Sequence, residues 1–180
     1  ADYAAGQAGI SSSKGTSTTH GSDSPKWMSD GLVGYWKMDE SSWNGTSGEV
    51  IDASGNGNHG AAVNGATTGA GVFGSGGDFD GVNKYVEVIN SNTINPTNAI
   101  SVATWFKTTD STGGLIVKRS GNFGYRLVFA VSGTLFFSFG NGVDAVVQPN
   151  VAGYNDGQWH HAVGVWSAES NQANLYVDGE

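Results

Sequence analysis

Between Trp159 and Trp166 the side chains change character at every second residue, a period that fits an extended strand and not a helix. Trp159, His161, Val163 and Val165 fall on one face, and His160, Ala162, Gly164 and Trp166 on the other. Neither face is wholly polar, which predicts a strand inside a sheet covered on both sides rather than at its rim. Asp156-Gly157, just ahead of it, is a turn signal, because Gly reaches positive φ at no steric cost.

The same pattern of turn and short alternating run recurs along the chain. Its 29 Gly, 3 Pro, 8 Phe and 6 Tyr in 180 residues suit many short strands joined by turns, and a helical protein would lose too much to Gly entropy. At this length one domain with a sizeable core is expected. Only 13% of residues are charged, with a net charge of −8. That balance argues against nucleic acid and against anionic membrane surfaces, both of which demand Lys and Arg. It agrees with neutral ligands or cations. No Cys is present, so no disulfide framework exists. No apolar run approaches the roughly 18 residues that cross a bilayer. No secretory leader is visible and Ala1 is not Met, so the chain reads as a mature form or a fragment.

Residues 1–30 are rich in Ser, Thr and Gly with few apolar anchors, which predicts a flexible linker or stalk, with room for a short helix around Tyr3 to Ala8. From Gly31 the pattern becomes that of a folded domain, 31–180. Strands are expected at Leu32–Met38, Ala61–Val63, Gly77–Asp80, Lys84–Ile89, Ile100–Lys107, Leu115–Arg119, Tyr125–Val131, Thr134–Phe139, Asp144–Gln148, Trp159–Trp166 and Ala173–Val177. Val131 to Thr134 and Phe139 to Gly142 read as hairpin turns. The sum is an all-β antiparallel β-sandwich.

Six stretches, in order, carry a family resemblance: GLVGYWKMDE at 31–40, DASGNGNHG at 52–60, FDGVNKYVEV at 79–88, ISVATWFKT at 100–108, DGQWHHAVGVW at 156–166 and LYVDGE at 175–180. Together they resemble bacterial laminin G-like domains, relatives of the pentraxins within the concanavalin A-like lectin and glucanase jelly rolls. The resemblance implies a concanavalin A-like jelly roll. Members usually continue past the YVDG segment, so it also implies that this chain lacks its final strands. A secreted or cell-surface setting is likewise implied by the resemblance, not by any address in the chain.

Several groups compete as sites. His160 and His161 point to opposite faces of one strand, so they cannot share a metal ion. No Cys nucleophile or Gly-x-Ser-x-Gly elbow exists. Related glucanases use two acids facing one groove; Asp78 and Asp80 have the spacing but sit at a turn, and Asp39-Glu40 face apart. Asp52, Asn56 and Asn58 offer oxygens at even spacings in a Gly-loosened loop, with Asp39 as a neighbour, and Ca²⁺ wants six to eight such oxygens. Laminin G-like jelly rolls often bind one Ca²⁺. The same side chains can instead hydrogen-bond the turn's own backbone, and both readings stay open. A sugar needs an exposed ring beside polar groups, for which Tyr125, Phe123 and Tyr154, with Asn122 and Arg119, are candidates; Trp43 and Trp166 are further rings of this kind.

Three functions are consistent with this. One is a non-catalytic extracellular recognition module, binding glycan or a protein surface, with Ca²⁺ as its candidate cofactor and with neighbouring domains on a longer chain. The second is a structural or adhesive domain of a pilin-like or cell-surface protein. The third is a glycoside hydrolase or lyase jelly roll.

Overall fold

Phe137 has no solvent exposure because its ring lies directly over Gly164, a strand position with no side chain to displace it. That contact joins two antiparallel ladders. The computed structural model describes residues 30–141, 145–147 and 151–180. Contacts divide the chain into residues 1–32 and 33–180, and the second unit is the one described below. The expected linker and short helix fall on residues 1–29, outside the described ones.

The strands are β1 (Gly60–Val63), β2 (Thr67–Ala70), β3 (Ser75–Asp78), β4 (Tyr85–Val88), β5 (Ala99–Phe106), β6 (Gly113–Ser120), β7 (Phe123–Ala130), β8 (Thr134–Asn141), β9 (Ala145–Val147), β10 (Val151–Ala152), β11 (His160–Ser167) and β12 (Gln172–Val177). One sheet has the order β12-β11-β5 and the other β10-β8-β7-β6, with β9 on the same edge of β8 as β10. The pairs β1-β4 and β2-β3 stand apart from these two. This is the antiparallel sandwich expected from the alternating runs.

The strand that the sequence singled out is the middle of its sheet, between β12 and β5. Its inward face carries Ala162, Gly164 and Trp166, all buried. They meet Tyr125, Leu127 and Phe129 of β7 and Leu135, Phe137 and Phe139 of β8. Trp166 stacks on Phe139 with centroids 3.6 Å apart, and Phe106 meets Phe129 edge-on at 5.5 Å. Each such ring, fully buried, contributes about 1.5–3 kcal/mol. A second cluster, Trp43, Val50, Ala62 and Ala66, fills under β1 and is flanked by Trp36, Met38 and Val86.

The outward face of β11 is only half-buried, not covered as expected. His161 lies against Trp105 at 5.0 Å, and Trp105, at 46% exposed, faces solvent beside Phe73. The expected opening strand is also corrected. Leu32–Met38 forms a single bridge, Trp36 to Asp52, and ends at Met38, whose φ of +57° lies outside extended geometry. β8 runs on to Asn141, so Phe139 and Gly140, expected in a hairpin turn, lie in the strand, and Gly142 falls outside the described residues. The turn at Val131–Gly133 is present, with Ser132 and Gly133 both at φ +71°.

Candidate functional site

The loop 52–58 is built around one carboxylate. Asp52 Oδ1 accepts the N–H groups of Tyr35 and Ser54, each at 2.9 Å. Its Oδ2 accepts Ser54 Oγ and the Asn58 N–H, each at 2.9 Å. Burial pushes this carboxyl up, and the hydrogen bonds from Ser54, Tyr35 and Asn58 outweigh it, leaving it below the usual carboxylate value. The Asp52 N–H donates to His59 Nδ1 at 3.0 Å.

Asn58 closes the node. Its Nδ2 donates to Val33 O at 2.7 Å and to Thr93 Oγ1 at 2.9 Å, and its Oδ1 accepts Ser91 Oγ at 2.5 Å. Trp36 Nε1 donates to the Asn58 carbonyl at 2.7 Å. A cleft of about 320 Å³ opens beside it, between Ser47, His59, Ile89 and Asn90.

The structure thus brings Asp52 and Asn58 together, but through donors that fill their oxygens. Asn56 is tied to Ser54 Oγ at 3.2 Å by both its N–H and its Nδ2. Asp39 bonds the Lys37 ammonium at 3.0 Å on the surface instead of joining them. Among the described residues no three His, Cys, Asp or Glu side chains are arranged so that they could hold a metal ion. A Ca²⁺ ion would have to displace N–H and O–H donors here, so the arranged oxygens do not fit its shell. What they fit is the alternative reading, a loop tied to its own backbone.

Of the acids weighed for hydrolysis, Asp80 is committed to its own turn. Asp80 Oδ1 accepts the N–H groups of Val82, Asn83 and Lys84 at 2.9, 3.0 and 3.1 Å. The Val82 bond leads in lowering its pKa to about 2. A carboxyl so strongly acidic stays ionised and cannot act as a general acid near neutral pH.

Of the ligand candidates, Arg119, Asn122 and Phe123 meet at the β6–β7 turn. Ser120 pairs with Phe123, leaving a two-residue loop, Gly121-Asn122, whose Gly121 takes φ +58°. Arg119 Nε donates to Gly121 O at 2.6 Å and its Nη2 to Asn122 Oδ1 at 3.4 Å, so the guanidinium lies over the turn. Phe123 is 63% exposed.

Tyr125 and Tyr154 do not join them. Tyr125 is buried in the main core with its hydroxyl toward Ile94 O, which corrects its expected role as an open stacking ring. Trp43 and Trp166 are likewise core. Tyr154 packs edge-on against His160 at 5.0 Å, at the end of the sandwich where β10 pairs with the start of β8. Phe123 pairs with Asn141 at the other end of β8, about 20 Å away at strand rise.

Sequence reasoning missed two features near these residues. His160 has a carboxylate at each ring nitrogen, Asp178 at 2.8 Å and Asp156 at 3.1 Å. Arg126, on the strand beside Arg119, points to the outer face, where its Nε donates to Ser138 Oγ at 3.1 Å. The signal for it was in the sequence: these are the chain's two arginines, on either side of one Gly-Asn turn.

A family model described as the concanavalin A-like lectin/glucanases superfamily, of laminin G-like type, matches residues 80–180. The chain belongs to that family. Its class is therefore that of lectin-like recognition domains, within a superfamily that also holds glucanases. Comparison with curated proteins and with solved structures finds no match. No helix among the described residues is long and apolar enough to cross a membrane.

Proposed function

We propose that residues 33–180 form a non-catalytic recognition module that binds glycan through the tip of the β6–β7 hairpin. The observation that supports it best is the Phe123 ring, open to solvent on a rigid two-residue turn beside the Arg119 guanidinium and Asn122. An open ring takes the apolar CH face of a sugar, and neighbouring donors and acceptors take its hydroxyls. The turn is held by the β6-β7-β8 ladder, so little ordering entropy is lost on binding. The family's lectin-like character supports an extracellular or cell-surface setting. The commitment of Asp80 and Asp52 to nearby donors supports a module without hydrolytic chemistry.

The reading is tested by a glycan array probed with the full chain and with Phe123→Ala, with Ca²⁺ and with chelator. Retention of one glycan class by the native chain, lost in the variant and indifferent to chelator, is the expected result. No retention on any glycan contradicts it.

A further inference from the structure

Only two arginines occur in this chain of net charge −8, and the fold sets them on one face of adjacent strands. Arg119 pairs across the ladder with Gly124, and Arg126 follows two residues along β7 on that same face. Between them stands Gly124, which contributes no side chain. Diagonal neighbours of this kind lie within reach of long side chains. Burial first, and then the positive charge of Arg119, hold the Arg126 guanidinium below its usual pKa, so the two charges are near enough to act on one another.

Two nearby cations repel, and among the described residues no carboxylate offsets that repulsion, since neither Arg119 nor Arg126 forms a salt bridge with one. The donors are held ready rather than used up. Arg126 is steadied by its Nε bond to buried Ser138 Oγ and by the Phe136 ring, 4.9 Å below the guanidinium. Its Nη groups bond nothing among the described residues. Arg119 is steadied by Gly121 O, with one further long contact to Asn122. A guanidinium fork matches the two oxygens of a carboxylate, and one anion placed between the two would offset their repulsion. Val117, 59% exposed and paired directly opposite Arg126, adds an apolar surface beside the charges.

We propose that Arg119 and Arg126 together hold the carboxylate of an acidic sugar, so that the ligand is a uronate-bearing glycan. The proposal rests on the glycan reading above and adds to it a residue, Arg126, and a ligand class. The chain's overall negative charge opposes polyanions at long range. Within the roughly 8–10 Å screening length at ordinary salt the local pair governs.

The test is affinity electrophoresis of the full chain through gels containing galacturonan, the same polymer with its carboxyls methyl-esterified, or poly-glutamate. Galacturonan alone should retard the native chain, with less retardation at high salt. Arg119→Gln and Arg126→Gln should each weaken this roughly ten- to a hundredfold, the loss of a charge-assisted hydrogen bond. Arg126→Lys, which keeps the charge and loses the fork, should also weaken it. Melting temperatures establish that the variants fold. Arg119→Gln alters only a turn side chain and stands as the test should Arg126→Gln not fold. Equal retardation by the esterified polymer overturns the proposal and leaves the glycan reading intact. Equal retardation by poly-glutamate, or none lost in Arg119→Gln, overturns it too. Native chain retarded by none of the three, with an empty glycan array, ends both.

Discussion

His160 Nδ1 lies 2.8 Å from Asp178 Oδ2, while Nε2 of the same ring lies 3.1 Å from Asp156 Oδ1. Ionised carboxylates only accept, so the protonated ring, donating from both nitrogens, is the form that satisfies both contacts, and Asp178 and Asp156 favour it by raising the His160 pKa. Asp178 also accepts the His161 N–H at 2.8 Å, and Asp156 accepts the Gln158 N–H at 2.8 Å. One ring therefore ties the turn before β11 to the turn after β12. Tyr154 and Phe106 pack against it.

This clasp gives stability a pH dependence. The Asp178 hydrogen bond raises the His160 pKa above 6.5, burial opposes that, and Asp156 adds to it. A group with a raised folded pKa contributes fully below its unfolded value and loses that contribution as pH rises through the folded one. The melting temperature of the native chain should therefore exceed that of His160→Gln most near pH 5–6, and the gap should shrink by pH 9. Asp178 is depressed, chiefly by His160, so its share instead fades as pH falls below about 3.8. Thermal melts of both proteins across pH 3–9 check this; a gap that widens with alkalinity contradicts it.

Asp52→Asn should cost about 2–4 kcal/mol, since it removes the charge from a buried acceptor of four hydrogen bonds and turns one oxygen into a donor facing donors. Urea unfolding measures it. In the same assay millimolar Ca²⁺ should leave the native midpoint unmoved, because those oxygens are already filled. A rise in midpoint with Ca²⁺, absent in Asp52→Asn, would restore the ion to this loop.

Gly164→Val should destabilise by about 1–3 kcal/mol, the cost of overpacking, because a Cβ there meets the Phe137 ring. Val163→Ala on the same strand removes a half-buried outward side chain and should cost less. Chemical denaturation of the pair separates the two faces of β11; equal losses would mean that its inward face is misassigned.

The alternation at Trp159 to Trp166 made the strand and its two faces legible, because period two is a local property of the chain. Which face turns inward was not local. It follows from Ala162 and Gly164 being small enough to admit Phe137 from another sheet, and it leaves Trp105 and His161 outside. The loop 52–58 could be read as a turn, but its lock could not, since Asn58 bonds Thr93 and Ser91 more than 30 residues away. At the tip, Arg119, Asn122 and Phe123 lie in one short stretch of sequence, so their proximity was legible. Tyr125 looked equivalent, and only the parity of β7 sends it into the core. Arg126 was passed over as a strand residue, because its partnership with Arg119 depends on the register of the hairpin.

The most direct measurement is a ¹H–¹⁵N correlation spectrum of the full chain titrated with oligogalacturonide. The account predicts that the largest amide shifts fall between residues 119 and 126 and at Ser138, and saturate together. Shifts gathered instead at 52–59, or around Phe73, Trp105 and His161, or no shifts at any ligand concentration, would contradict recognition at the β6–β7 tip.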